Sequence, residues 1–318
     1  MKKLHFALIG MGKHGSRWAG VVSKIASLDA VVDPNIEGSA TLEDVLSDPY
    51  IDAVLIAVPH KYHAEITKKA LLAGKHVLCE KPGAIYSDEM RENFKIAKKK
   101  RLKYMIGYNY RFHDAFIKAR KLYKKGAIGK LVFIRARHGF GGRKGYGKEW
   151  RINKEISGGG HLHDQGTHMV NMAKSFIGQL KTAKGMIADN YWKSGTEDNG
   201  FVLLKGKNNV IASIHSSLTQ WDRLHEFEIY GTKGYLKVEG LGMRYGIDEH
   251  LILGKRTNNP DVVKEKWIDC DAIADHSLEL ELKEFTSWIN KNKNITPLML
   301  DAYMTLKVIE NVYIEDKI

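Results

Sequence analysis

Apolar residues in the first third of the chain come in short, almost unbroken runs: HFALIG, LDAVVD, DAVLIAVP, KHVLCEKP and KYMIGYNY. Helical spacing fills the intervals. Trp18, Val21, Val22 and Ile25 fall on one helical face, and further helices are predicted from Thr41, across residues 61–73, and from Ser87. Strands that are apolar on both sides and joined by helices belong in a parallel sheet covered on both faces. The pattern therefore predicts an α/β fold that opens with a doubly wound parallel sheet. Thr41 with Asp44 forms a capping-box signal, and Ser87 followed by Asp88 and Glu89 marks a helix start. Between Asp33 and Thr41, DPNIEGSAT cannot hold a helix.

The pattern changes after about residue 125. LVFIRARH, a glycine-rich basic loop and one helix from about His161 to Phe176 are followed by the strands NGFVLLKG, VIASIHSSL, HEFEIYG and GYLKVEG. The last two are joined at Gly231-Thr-Lys-Gly234, a hairpin signal. Consecutive strands without helices between them predict a C-terminal α+β domain with a large, mostly antiparallel open sheet. Helical patterns from Ser277 to Asn290 and from Leu298 to Tyr313 close the chain. The expected domains are residues 1–122 and 123–318.

At 318 residues, two domains are the natural expectation. Hydrophobic residues at 43% and charged residues at 27% match a folded globular chain without low-complexity tracts. MKKLHFALIGMG resembles a secretion signal, but its short apolar run leads straight into a glycine motif and reads as a first strand. No apolar run approaches the roughly 20 residues of a membrane helix. No membrane association and a cytoplasmic location are expected. Cys79 and Cys270 have neither disulfide-framework nor zinc spacing and read as packing residues. The formal charge of +13 predicts attraction towards anions: nucleic acid, phospholipid or a phosphorylated metabolite. Its densest run, KIAKKKRLKY, reads as a solvated helix terminus, and no nucleic-acid-binding signature accompanies it. No nucleic-acid partner is expected.

The chemistry begins at Gly10-Met11-Gly12-Lys13-His14-Gly15, which follows the first strand and opens the first helix. In that context Gly10 permits a tight turn, Gly12 lets backbone approach a pyrophosphate, and Gly15 lets helix pack on strand. The helix amino terminus faces the phosphates. Asp33, at the end of the second strand, is placed to accept hydrogen bonds from the adenosine ribose, and its charge disfavours a 2′-phosphate. NAD is the expected cofactor, with NADP disfavoured. Ligands of such sheets gather at the carboxyl ends of strands, where Pro59-His60-Lys-Tyr-His63, Glu80-Lys81-Pro82 and Asn109-Tyr110-Arg111 stand. Taken singly, His63 reads as a helix-start residue, Lys81 as a surface charge and Arg111 as a salt-bridge partner. Together they point at one crevice, with Pro59, His60, His63, Glu80, Lys81 and Asn109 on the cofactor side and Tyr110 and Arg111 towards a substrate.

GMGKHG, AVPHKYH, EKP, GYNYRF, EWR and GGGHLHDQGTH together resemble the Gfo/Idh/MocA oxidoreductases over nearly the whole chain. That family includes inositol dehydrogenases, glucose-fructose oxidoreductases and nucleotide-sugar dehydrogenases. The resemblance implies that Lys81, Asp164 and His168 are catalytic, that Trp150 and Arg151 of EWR help bind substrate, and that the protein is a homo-oligomer, a dimer or tetramer. It implies NAD-dependent oxidation, or reversible reduction, of a secondary hydroxyl of a sugar, cyclitol or nucleotide sugar. The spacing fits those roles: Asp164 and His168, four apart, share a helical face. A histidine can take a hydroxyl proton near neutral pH, while a lysine stabilises developing negative charge.

Other readings compete. His161, Asp164 and His168 at i, i+3 and i+7 would set two imidazoles and a carboxylate on one stripe, as a metal site requires, but hydride transfer needs no metal and none is expected. His163 points away from that stripe and reads as packing. The loop GFGGRKGYGKEWR, with Arg143, Lys144, Lys148 and Arg151, suits an anionic or nucleotide-linked substrate and equally a mobile surface loop. Trp221 and Arg223 suit either the substrate side or an oligomer contact. The functional alternatives are an NAD-dependent glycosidase on the same fold and a non-enzymatic nucleotide-binding sensor.

Overall fold

The structure, a computed structural model, describes residues 2–242, 248–259, 261–270 and 275–316. It divides into two compact units. One comprises Met1–Tyr108, Glu155–Gly158 and Leu278–Lys307; the other comprises Asn109–Lys154, Gly159–Ser277 and Val308–Ile318.

In the first unit β1 (His5–Ile9), α1 (Lys13–Ile25), β2 (Ser27–Val32), α2 (Leu42–Ser47), β3 (Ala53–Ile56), α3 (His63–Leu72), β4 (His76–Glu80), α4 (Ser87–Lys100) and β5 (Tyr104–Gly107) alternate along the chain. The strands form a parallel sheet in the order β2-β1-β3-β4-β5. Strand order reverses between β1 and β3, so the crevice beyond their carboxyl ends is a topological switch point. All four residues of β3 and of β5 are buried, as the unbroken apolar runs require. Phe6, Leu8, Trp18, Leu55, Ile56 and Leu78 are fully buried, each contributing about 1.5–3 kcal/mol by leaving water. The Thr41 capping box forms as expected, Asp44 N donating to Thr41 Oγ1 and Thr41 N to Asp44 Oδ2, both at 3.1 Å. No helix occurs between Asp33 and Thr41. Lys98, Lys99 and Lys100 occupy the exposed last turn of α4, so this part of the basic run is a solvated helix end.

The second unit begins with α5 (Asp114–Lys124) and β6 (Leu131–Gly139). Next along the chain is the short α6 (Lys154–Ser157), which apart from Lys154 belongs to the first unit, and then, in the second unit, a single wide π-type turn over Leu162–Gly166 that runs into α7 (Thr167–Ile177). The continuous helix expected from about His161 is therefore interrupted in its hydrogen bonding at its start. Next come β7 (Leu180–Ala188), β8 (Asn199–Gly206), β9 (Ile211–Ser217), β10 (Leu224–Gly231), β11 (Gly234–Glu239), β12 (His250–Arg256) and β13 (Val263–Ile268). With β6 they form one sheet in the order β13-β12-β11-β10-β6-β9-β8-β7. Only the central β6–β9 pair is parallel; the others are antiparallel. The inward face, including Ile134, Ala136, Val202, Leu204, Ile214, Phe227 and Ile229, packs against Phe116, Met169, Val170 and Ala173 of the helices.

The chain closes with α8 (Ser277–Asn290) and α9 (Thr296–Glu315). Phe285 of α8 meets Phe6 of β1 edge to face at 6.3 Å, so α8 covers the parallel sheet. No described helix is long and apolar enough to cross a membrane.

Candidate active site

The dinucleotide loop follows from the glycine spacing. Gly10 has φ +93°, and a Cβ there would lie 2.7 Å from the Ala57 carbonyl oxygen. Gly15 meets Gly10: an added Cβ would stand 2.0 Å from the Gly10 oxygen. Around Gly12 there is open space, with nothing within 4 Å of an added Cβ. Loop and helix thus close on each other at Gly10 and Gly15 and leave room at Gly12, the cradle that a pyrophosphate needs. Lys13 is exposed at the start of α1.

Asp33 ties this loop to the end of β2. Its Oδ2 accepts from Met11 N at 2.6 Å and its Oδ1 from Asn35 N at 2.9 Å. The Met11 bond, followed by that from Asn35, holds the carboxyl below its ordinary value against the opposing effect of burial. Oδ1 also accepts from Asn35 Nδ2 at 3.1 Å, while Oδ2 keeps a further lone pair for a ribose hydroxyl. These features fit NAD, which Gly10–Gly15 and Asp33 would hold.

Glu80, at the end of β4, accepts from Trp18 Nε1 and pairs with His14 Nε2, both at 2.7 Å. Burial alone would raise this carboxyl; the facing His14 ring and the two hydrogen bonds outweigh it and bring it to about 2. The folded value lies below the ordinary 4.5, so the contribution to stability is present above 4.5 and disappears as pH falls through about 2. Chemical denaturation of the wild type and of Glu80→Gln is expected to show a stability gap at neutral pH that closes across this window. A gap independent of pH would mean that the charge of Glu80 contributes nothing.

Lys81 follows, half-buried, on a cis peptide bond to Pro82. Beyond β3, Pro59 opens a single turn in which the His60 Nδ1–H donates to the Ser157 carbonyl and the His63 Nε2–H to the Val58 carbonyl, each at 2.8 Å. Both imidazoles are buried and brace the backbone at the switch point.

In the second unit the wide turn carries Asp164, with His168 in the first turn of α7. Both are buried. A π-type turn spreads successive side chains differently from an α-turn and often marks a functional site. His168 lies flat on Tyr110, ring centroids 3.8 Å apart and planes 8° from parallel. The Tyr110 hydroxyl donates to Gln165 Oε1 at 3.0 Å. Asp164 Oδ2 is 3.5 Å from Arg151 Nε, and Arg151 also pairs with Glu149 at 3.3 Å and stacks on Trp150 at 4.6 Å. Burial lowers the guanidinium pKa, but Asp164 overcomes this and keeps it raised. Asp164 thus faces a fixed positive charge. Arg111 Nε donates to Asn171 Oδ1 at 2.5 Å, so it is attached to α7 one turn beyond His168. Asn109 donates to Ser277 Oγ at 3.0 Å.

Sequence reasoning missed a second tier. His138 on β6 and His225 on β10 are directly opposite in register, and their Nδ1 atoms are 3.0 Å apart. Both are buried; burial first and neighbouring imidazoles second lower their pKa values, His225 to about 3. Both rings are neutral, so in the contact between them one Nδ1–H donates and the other Nδ1 accepts. His138 stacks on His161 at 5.7 Å and meets Tyr110 at 5.9 Å, so the stripe residue His161 belongs to an imidazole stack. Their signal was available: both occupy inward positions of alternating strands, where polar residues are unusual. Among the described residues no group of three or more His, Cys, Asp or Glu side chains is arranged to hold a metal ion. His163 is buried and packs against Tyr313.

The fold and the loop define a dinucleotide-binding domain followed by an α+β open-sheet unit. Residues 4–108 match the family model for the oxidoreductase family NAD-binding Rossmann fold, and residues 116–237 match the GFO/IDH/MocA C-terminal domain. The chain belongs to the Gfo/Idh/MocA oxidoreductases. Levoglucosan dehydrogenase of Pseudarthrobacter phenanthrenivorans is 28% identical over 245 residues, covering 67% of this chain and 63% of that protein. A 2,7-anhydro-N-acetylneuraminate hydratase of Escherichia coli is 28% identical over 254 residues, covering 74% of this chain and 68% of that one. A solved structure of levoglucosan dehydrogenase in complex with NADH has a TM-score of 0.88 at 20% identity, covering 99% of this chain and 98% of that one, which establishes the shared fold.

Proposed function

We propose that the protein is an NAD-dependent dehydrogenase that oxidises, or reversibly reduces, one secondary hydroxyl of a sugar, cyclitol or nucleotide sugar, with Lys81, Asp164 and His168 carrying the acid–base work. The observation that supports this reading most is the wide turn: it buries Asp164 beside the Arg151 guanidinium and sets His168, four residues on, flat against Tyr110. NAD, when bound, supplies the hydride acceptor. His168 takes the hydroxyl proton at a ring nitrogen while Tyr110 fixes the plane of that ring. Lys81 polarises the hydroxyl oxygen and stabilises the charge that develops there. Asp164, paired with the Arg151 guanidinium at 3.5 Å, supplies carboxylate charge that favours a protonated acid–base group beside it.

Curated relatives named levoglucosan dehydrogenase and 2,7-anhydro-N-acetylneuraminate hydratase support a sugar-type substrate. In the basic loop, Arg143 pairs with Glu149 at 2.5 Å while Lys144 and Lys148 are exposed. The substrate's anionic group, where it has one, would meet those lysines.

Incubation with NAD and a panel of neutral sugars, cyclitols and nucleotide sugars tests the proposal; stoichiometric NADH with at least one is the expected result. The hydratase relative favours a second reading, a redox-neutral reaction such as glycoside cleavage in which the cofactor is regenerated. Product release without net NADH would select it. Absence of both across the panel would favour a sensor.

Asp33 carries the cofactor preference. Asp33→Asn keeps an acceptor for Met11 N but removes the charge that repels a 2′-phosphate. The ratio of kcat/KM for NAD over NADP is expected to fall about tenfold or more; an unchanged ratio would move the discrimination elsewhere.

The outward face of the large sheet also supports a homo-oligomer. Met186, Phe201, Leu203 and Ile211 are each between 46% and 72% exposed, and Met186 pairs in register with Phe201, and Ile211 with Phe133. A contiguous apolar face of this kind asks for a cover. Light scattering should give a mass above that of one chain.

A further inference from the structure

Glu197 lies in the loop between β7 and β8 and is fully buried. Its Oε2 accepts from Gly160 N at 2.6 Å; its Oε1 accepts from Leu162 N at 2.8 Å and from His163 N at 3.4 Å. The Glu197 carbonyl accepts from His161 N at 3.2 Å. The first amides of a helix have no partner within it, and here one residue from a distant segment accepts from four consecutive ones. The approach is close: a Cβ on Gly160 would lie 1.9 Å from the Glu197 carbonyl oxygen. These amides open the wide turn that carries Asp164 and leads to His168.

We propose that Glu197 is a positioning residue for the reaction, its carboxylate gripping the start of the wide turn and so setting the directions of Asp164 and His168. The inference rests on the acid–base roles proposed for those two residues. Thermodynamic linkage separates it from a purely structural role. Burial raises the Glu197 carboxyl above its ordinary 4.5, against the lowering effects of the Tyr313 hydroxyl and the backbone amides. A carboxyl whose folded value is raised costs stability above that value and ceases to do so as pH falls below its unfolded one. The net rise means that ionising Glu197 costs more in the fold than in the unfolded chain, and the retention of a carboxyl there calls for another reason. Glutamine in its place keeps the shape, removes the charge and turns one acceptor into a donor aimed at an N–H.

The test uses the full chain as wild type, Glu197→Gln, Glu197→Asp and His168→Asn. The expected result for Glu197→Gln, whatever its melting temperature, is unchanged NAD affinity, kcat per folded molecule lower by on the order of 10²-fold, and at least about tenfold faster amide exchange at residues 160–163. Glu197→Asp keeps the charge but withdraws it, and should fall between the two; it gives the same reading if the glutamine variant does not fold. Wild-type kcat together with wild-type exchange in either variant would overturn the proposal. So would a loss of kcat no greater than the loss of folded protein. If His168→Asn retains full turnover, the proposed chemistry fails, and the exchange data still decide whether Glu197 holds the turn.

Discussion

Replacing His168 with asparagine is expected to lower kcat by about 10²- to 10⁴-fold, the range that a positioned acid–base group supplies. NAD affinity, read by fluorescence titration, should stay at the wild-type value. Asparagine is of similar size and can still hydrogen-bond, so the buried site beside Tyr110 is not emptied. What asparagine lacks is a basic ring nitrogen that can take the proton. The neighbouring imidazoles are poor substitutes, because burial lowers the pKa values of His138 and His225 and makes them weak bases. Steady-state kinetics with melting curves as a folding control checks this. Full turnover in a folded variant would transfer the proton to Lys81.

The second large effect belongs to the dinucleotide loop, where two glycines that look alike in sequence should respond differently. Gly15→Ala drives a methyl to 2.0 Å from the Gly10 carbonyl oxygen, a backbone atom that cannot swing aside. Overpacking of this sort costs about 1–3 kcal/mol. Because the displaced atoms line the proposed phosphate cradle, NAD affinity is expected to fall about 10- to 100-fold along with the melting temperature. Gly12→Ala meets no protein atom within 4 Å. It should leave the melting temperature unchanged and still weaken NAD binding, since its methyl enters the open space proposed for the pyrophosphate. Calorimetry on both variants separates the cases. Equal NAD affinity for wild type and Gly12→Ala would remove Gly12 from the cofactor site.

The parallel sheet was legible because its strands are buried on both sides, and an apolar run such as AVLI in β3 has few other places to go. Helix α8 runs from Ser277 to Asn290 as its periodicity predicts. Three strands of the large sheet escaped: β7, β12 and β13. At the two edges, β7 (LKTAKGMIA) and β13 (VKEKWI) are lysine-bearing, the pattern that protects an open edge from further pairing and thereby hides the strand signal. In β12, HLILGKR has its apolar residues in sequence and no alternation to read.

The site divides in the same way. Glycine spacing and Asp33 are local features of one strand–turn–helix unit, and their arrangement follows from sequence. The wide turn at Leu162–Gly166 is not local: its amides are satisfied by Glu197, which the sheet delivers from beyond β7. The His138–His225 pair likewise exists only because β6 and β10, far apart in sequence, are neighbours in register. Periodicity assigns such residues to an inward face and says nothing about what they meet there.

Isotope transfer tests the proposed reaction most directly. With the sugar that the panel selects, carrying deuterium on the carbon bearing the reactive hydroxyl, the account predicts one equivalent of deuterium in the NADH formed and none released to water. Unlabelled NADH, or deuterium lost to solvent, would contradict direct hydride transfer from that carbon.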